Sequence, residues 1–581
     1  MSTITRRALC VLLLLALRAG AAERGFPLIT VYPPETHKAG PQTFDIAQDA
    51  RGVLLFGNLH GLVTYDGAWW GLHTLPDDQA PLSLAVDARG SVALGLVGDF
   101  GFLARSAAGA YEYRSLLDTL PANEREVGDI RELCVTPAGF LFVAERSLVL
   151  WNGGPAKTVA RFPAETAPRG CHSDSGGVFL RGPQGLQRFD ANTLRVTPAG
   201  VSVRVLQILR HADGRLIAVT AEDGLFAVDA SGVVTPFAPE VGAWLKGKLV
   251  TGGARLRDGR MVLITRHHGL VLFARDGRID QLLGAEAGLP DAVPRKAFVD
   301  REGALWVAME GPIVRIDLAS PVTMFDARTG VRGSAGDVTQ YAGRLYTATS
   351  HGLFEIDEHG QATRMEPMQE SAWRLIHVDG ELLAGTSKGI YRVVPGGPLQ
   401  HLIPLDRELY DLSRSPSDPS RVWIAHGDGV GSIRRVNGSW TYEGLITGID
   451  HEIASVVERD GVLWCGTVFH GVLRIADARG AKPRIRQFGE GEMNVFDVDG
   501  RVVFVRASGE VVQLGRDGKL VPDTRLGHLH APRGFFVVAQ DRGGNVWINS
   551  TPPRVYERQP GGTFAREGRP LVSVTAADIQ N

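Results

Sequence analysis

The stretch FDIAQDARGVLLFGNLHGLVTYDG, residues Phe44 to Gly67, decides the fold. It runs as an apolar segment, an Asp/Gly turn, a second apolar segment, a short turn containing glycine and a third apolar segment. Val, Leu, Ile and Phe at the apolar places suit pleated, half-buried strands. The turns carry glycine where a tight hairpin needs a positive φ. The same arrangement returns as KAFVDREGALWVAMEGPIVRID from Lys296 and as SVVERDGVLWCGTVFHGVLRIAD from Ser455. A unit of about 40 residues built from short strands and turns predicts propeller blades, which must stack because one blade alone cannot bury its faces.

The glycine before the second strand tracks the repeat along the chain: Gly52, Gly90, Gly139, Gly177, Gly214, Gly259, Gly303, Gly343, Gly380, Gly461, Gly500 and Gly544. The double step after Gly380 hides one unit in which Ser420 takes the glycine's place, so the units number thirteen. A fourteenth begins at LVSVTAADIQN, and the sequence stops inside it. Seven units precede the polar, Gly-rich stretch ASPVTMFDARTGVRGSAGD, which starts at Ala319. The expected fold is therefore all-β, two consecutive seven-bladed β-propellers, the second truncated in its last blade. The expected bounds are 26–320 for the first propeller and 321–581 for the second. FPLITVYPP, Phe26 to Pro34, is expected to supply the outer strand that shuts the first ring, because closure removes sheet edges.

Composition narrows the class. A hydrophobic fraction of 44% with 22% charged residues is that of a globular protein. The net charge of −2 offers no electrostatic footprint for nucleic acid. Residues 1–22 read as a signal peptide: two arginines, the short apolar run ALCVLLLLAL from Ala8, then small residues near Ala21 and Ala22. The run is too short to span a bilayer comfortably. Beyond it stand Cys134, Cys171 and Cys465, an odd and sparse set that reads as buried small hydrophobes rather than a disulfide framework. The alternative weighed is one Cys134–Cys171 bridge between neighbouring blades.

QDARGVLLFGNLHGLVTYDG in unit one, DREGALWVAMEGPIVRID in unit seven and ERDGVLWCGTVFHGVLRI in unit eleven resemble the two-component-regulator propeller repeat, roughly QD..G.LWFGT..GL.RYDG. Unit two, VALGLVGDFGFLARSAAGAYEYRSLLDTLP, is similar to the second blade of sensor proteins that carry a triple-tyrosine domain. YAGRLYTATSHGLFEID after the inter-ring stretch looks typical of the same group. The resemblance covers essentially all of the chain beyond the leader. It implies an extracytoplasmic sensor region of two seven-bladed propellers, followed in that family by a triple-tyrosine domain, a membrane span and a histidine kinase or nucleotide cyclase. It also implies a homodimer. The sequence ends at Asn581 before any of those later parts, and is read either as an N-terminal fragment of such a receptor or as a shortened receptor that has lost its effector; the stop inside a blade, which would expose a strand edge, favours the fragment.

Candidate ligand-binding residues are His60, Trp69, Trp70, Asp99 and His268. Histidine recurs just before glycine in the turn between second and third strands, at His60, His268, His351 and His470, on the face where the connections between blades also lie. A polar residue before glycine also suits a tight turn by itself. Trp69 and Trp70 are adjacent indoles able to stack on a flat ligand, or to pack between blades and cap the rim. Asp99 sits in the Gly-rich turn GDFGFL, which lacks the partners of a kinase motif. Trp306, Trp423, Trp464 and Trp547 share the second strand of their units and read as core. His528 and His530, two apart, give a weak metal signal; no metal and no cofactor are expected.

The function expected from the sequence is the periplasmic ligand-sensing region of a transmembrane receptor of the two-component or cyclase type. Its ligand would be an unknown small molecule or oligosaccharide, with no nucleic-acid partner. Membrane attachment would come only through a C-terminal span outside this sequence. The chain itself is not expected to be an enzyme. The alternative is a secreted β-propeller enzyme, a polysaccharide lyase or hydrolase, which predicts a convergent cluster of acids, His or Tyr in one channel.

Overall fold

The computed structural model describes residues 25–570, apart from 106–110, 321, 528, 530–537, 542 and 549–553. The expected leader at residues 1–22, the expected fourteenth unit at 571–581 and the His528/His530 pair lie outside the described residues. Among the described residues thirteen four-stranded antiparallel sheets follow one another, each built from consecutive strands, with one exception at the seventh. The chain divides into two compact units, residues 27–322 and residues 323 onward, the latter taking in Phe26. The expectation of consecutive propellers is met.

In the first unit seven sheets form a closed ring. Their inner strands are Thr43–Gln48, Ser83–Val86, Glu132–Thr136, Gly170–Asp174, Val205–Arg210, Val250–Arg255 and Pro294–Val299, here blades one to seven. Each lies beside the next, and blade seven lies beside blade one. The exception in chain order is the closure: Leu28–Tyr32 pairs antiparallel with Ile313–Asp317 as the outer strand of blade seven, with Leu28 opposite Asp317 and Tyr32 opposite Ile313. The segment ahead of the first unit thus locks the ring, as its sequence suggested. Tyr32 then stacks on Trp306, centroids 5.7 Å apart, and the seam between blades one and seven fills with Ile46, Leu54, Phe56, Val63 and Ile313.

The pattern within a blade follows burial. Second strands such as Leu54–Asn58 and Leu305–Met309 are buried at every residue, because both faces meet neighbouring blades. Outer strands such as Lys157–Arg161 are half-buried or exposed. Each fully buried Leu, Ile, Val or Phe contributes about 1.5–3 kcal/mol, so the second strands carry much of the stability. The first turn is held by its aspartate. In blade seven Asp300 Oδ1 accepts from the amides of Glu302 and Ala304, both at 2.9 Å, and Oδ2 from Trp306 Nε1 at 2.7 Å. Gly303 at φ +94° completes that turn, where a side chain would be strained.

The second unit presents six sheets among the described residues, with inner strands Ala335–Tyr341, Ala372–Val378, Leu409–Arg414, Ile453–Arg459, Met493–Val498 and Val538–Gln540, here blades eight to thirteen. Of the second-strand tryptophans, Trp306 and Trp423 are buried at 2% and 3% exposure, while Trp464 and Trp547 are half-buried. Among the described residues no helix is long and apolar enough to cross a membrane.

The cysteine reading requires correction. Cys134 and Cys171 form a disulfide across 37 residues, joining the inner strands of blades three and four, and among the described residues Cys465 is free and buried. Sequence spacing hides this pairing; ring stacking brings the two strands side by side.

Candidate functional site

The inner strands of blades one to seven enclose a channel, and that channel is polar. Register breaks in these strands, between Thr43 and Asp45, Val205 and Gln207, Val250 and Gly252, and Pro294 and Lys296, mark where the inner strands present polar groups to one another. Lys296 Nζ lies 3.1 Å from Asp45 Oδ1 and 2.9 Å from Glu132 Oε1. Arg181, from the second strand of blade four, donates to Glu132 Oε2 at 2.9 Å. Two cations and two anions from blades one, three, four and seven therefore close on one another. Asp45 also accepts from its neighbour blade, the amide of Leu84 at 2.8 Å, and Gln207 Nε2 donates to the Gly253 carbonyl at 3.1 Å.

Burial sets the electrostatics of this network. Asp45 is pushed above the usual carboxylate range by burial, against the pull of Lys296 and with the push of Glu132. Glu132 is buried as well, yet Lys296 and Arg181 together hold its carboxyl below the usual value. Lys296 is pushed up because Asp45 and Glu132 outweigh its own desolvation. The ammonium is the shared partner of both acids; removing it leaves buried Asp45 without a cation and Glu132 with Arg181 alone.

Two cavities open along the inner strands, the first of them on the network. One, of about 410 Å³, lies toward the starts of the inner strands, the side of the connections between blades, and is lined by Arg131, Glu132, Arg169, Arg181, Arg295 and Lys296 with Phe44, Gln207 and Thr251. The other, of about 620 Å³, lies toward the ends of those strands and is lined by His172, Asp174, Arg210, His211 and Arg255. His172, Gln207, Ile208 and Gly253 line both. At the second cavity Arg210 grips Asp174 through two bonds of 2.6 Å, and His172 Nε2 lies 2.8 Å from the same carboxylate. Asp174 is held down to about 2 by Arg210 and His172 despite burial. Burial lowers His172, so its ring stays neutral at ordinary pH.

The five residues singled out from sequence lie outside this channel. His60, Asp99 and His268 occupy second-to-third-strand turns of blades one, two and six, on the face of the connections. His60 and His268 are exposed. Their turns are held by the backbone: the His60 amide donates to Asn58 Oδ1 at 3.1 Å and the His268 amide to Thr265 Oγ1 at 3.2 Å. Asp99 is half-buried and accepts from the Phe100 amide and Ser115 Oγ, each at 2.7 Å. Trp69 lies in the third-to-fourth-strand turn of blade one and Trp70 opens the fourth strand, Trp70–His73, opposite Tyr65; the alternation of strands puts this end on the opposite face. Trp69 is 78% exposed, whereas Trp70 stacks on Tyr65 at 4.4 Å and packs against Tyr32 at 5.2 Å. Of the five, His268 lines a cavity, a groove of about 510 Å³ shared with Trp244, Lys248, Arg266 and His267.

The channel residues escaped the sequence reading because they stand inside strands. A signal was present: Asp45, Asp337 and Asp411 each stand third in an inner strand. The structure shows their shared duty, since each takes the backbone amide of the next blade: Leu84 for Asp45, Leu375 for Asp337 at 2.9 Å and Val456 for Asp411 at 3.0 Å. In the second unit Arg374 sits between Asp337 and Asp411 at 3.5 and 3.0 Å. Among the described residues no group of three or more His, Cys, Asp or Glu is placed to hold a metal ion.

No family model matches the sequence, and no curated protein matches it. Solved structures do. The extracellular domain of the putative hybrid two-component system BT3049 from B. thetaiotaomicron superposes with a TM-score of 0.67 at 15% identity, over 94% of this chain and 78% of that one. The corresponding domain of BT4673 from the same organism gives 0.40 at 13% identity over the same shares. An ancestral GH74 enzyme gives 0.37 at 14% identity, over 94% of this chain and 95% of its own. The first match establishes a shared fold with a protein of the class whose repeat this sequence resembles; the other two scores are too low to bear on function.

Proposed function

We propose that this chain is the extracytoplasmic ligand-sensing region of a signalling receptor, and that its ligand enters the first channel from the side of the blade connections. The observation that carries this reading is the charged network of Lys296, Asp45, Glu132 and Arg181 at the base of a cavity of about 410 Å³. That size suits a small organic ligand, and the walls come from blade one and from blades three to seven. A molecule bound there faces several blades at once, so its preference between two ring arrangements shifts their populations. The fold shared with the BT3049 extracellular domain supports a sensor role. The Cys134–Cys171 bridge supports an oxidising compartment, in keeping with the leader read at residues 1–22. Dimerisation through a complete receptor belongs to the same proposal.

Binding is favoured over catalysis by the state of the acids. Asp45 and Glu132 share one ammonium, which leaves neither as an unpaired acid or base of the kind glycoside cleavage uses. The test is a binding screen of small molecules and oligosaccharides on the full chain, followed by hydrogen exchange with the best binder. Slowed exchange at residues 129–136, 169–174 and 294–299 is the expected outcome. Protection confined to the outer strands, or turnover of the binder, would overturn the reading.

A further inference from the structure

Around the first channel's connection-side cavity, five cations stand on the wall: Arg131, Arg169, Arg181, Arg295 and Lys296, against Glu132 as the acid among them. Three further carboxylates outside the lining neutralise part of this charge. Asp129 pairs with Arg131 at 2.5 Å, Glu310 with Arg295, and Asp45 with Lys296 at 3.1 Å. None of these three lines the cavity. The remaining cation, Arg169, is exposed; its side chain donates to the Ala164 carbonyl at 3.1 Å, a neutral partner. With every one of these acids counted, the mouth keeps one uncompensated positive charge.

From this arrangement we infer that the mouth recognises a ligand through an oxyanion group, a carboxylate, sulfate or phosphate, seated among Arg131, Arg169 and Arg295. The inference rests on the proposal that this cavity is the sensor's ligand site. The chemistry follows from geometry. Each guanidinium has five N–H donors in a planar fork, and one carboxylate partner uses at most two of them. Asp129 and Glu310, outside the lining, each hold part of one fork and leave other donors for the cavity. Cations that converge on a concave, partly desolvated site concentrate the field there, and charge-assisted bonds to an oxyanion are the stronger kind. Gln207 and Thr251 on the same wall offer neutral polar contacts, and Phe44, under the Arg295 guanidinium at 5.9 Å, offers an apolar face. Those groups suit the uncharged part of a small organic anion. His172 does not add to the charge, since burial keeps it neutral.

The test is calorimetric titration of the full chain with citrate, glucuronate, inorganic sulfate and inorganic phosphate, with glucose as the uncharged control. Binding of at least one anion, at least tenfold tighter than glucose and weakening as sodium chloride rises, is the expected result. Carboxylate and inorganic probes separate the two sources of such a group. Arg169→Gln touches none of the channel ion pairs and should fold normally; it is expected to weaken the anion at least fivefold. An affinity unchanged in Arg169→Gln and in Arg131→Gln overturns the inference, as does a wild-type chain that binds none of the anions. If a neutral ligand binds and protects this cavity while the anions do not, the sensor reading stands and the oxyanion inference falls. If an anion binds in an arginine-dependent way while a screened ligand protects the outer strands alone, the charge inference stands and the sensor placement falls.

Discussion

Removing the Cys134–Cys171 bridge tests how the first ring is held. The bridge closes a loop of 37 residues and ties the inner strands of blades three and four. Opening such a loop returns chain entropy to the unfolded state; the loop-closure relation gives about 3.8 kcal/mol at 25 °C for this length. The first unit spans residues 27–322. At about 2 cal/mol/K of unfolding entropy per residue, a unit of this size loses roughly 6 °C in Tm. The double variant Cys134→Ser/Cys171→Ser should therefore melt about 6 °C below the wild type in oxidising buffer. Reductant should lower the wild type to meet it and leave the variant unmoved. Calorimetry separates the two units if they melt apart, and thiol titration in denaturant supplies the chemical check. The oxidised chain without its leader should show one thiol, Cys465, which is unreactive before unfolding because burial raises its pKa. Three thiols, or a melting difference under about 1 °C, would refute the reasoning.

Lys296→Met should cost about 3–5 kcal/mol in urea unfolding, because Asp45 and Glu132 lose their shared cation inside the channel; a loss under about 1 kcal/mol contradicts the network. Asp174 is depressed to about 2 in the folded chain against about 3.9 unfolded. Its contribution is therefore complete above pH 4 and is lost as pH falls toward 2, so Asp174→Asn should flatten the acid limb of the stability curve in that window, and an unchanged limb would count against the Arg210 grip. The two adjacent indoles should part company. Trp69→Ala, at 78% exposure, should change stability by less than about 0.5 kcal/mol, while Trp70→Ala strips the stack on Tyr65 and Tyr32 and should cost about 3 kcal/mol; equal effects would contradict the packing.

The repeat made the fold readable because its causes are local. A blade needs alternating apolar strands, a turn aspartate such as Asp300 and a glycine such as Gly303 at positive φ, and all lie within about 20 residues of one another. The closing strand was legible for a related reason: Leu28–Tyr32 is an apolar, β-forming segment ahead of the first unit, and an open ring leaves an edge for it to fill. The recurring histidine before glycine was legible as turn chemistry, since the His60 and His268 amides bond within their own turns.

What tertiary structure decided are the contacts across the ring. Asp45, Glu132 and Lys296 are remote in sequence and meet because seven inner strands face one axis. In the sequence each is a charge in a short strand, and a local pattern cannot say whether such a charge faces solvent, a neighbouring blade or a partner across the channel. The same limit hid the pairing of Cys134 with Cys171 and the different fates of Trp69 and Trp70. Strand and turn preferences act between near neighbours along the chain, so the sequence alone determined the blades. Charge pairing and covalent bridging depend on distances that closure of the ring creates, so the chemistry of the channel belonged to the folded structure.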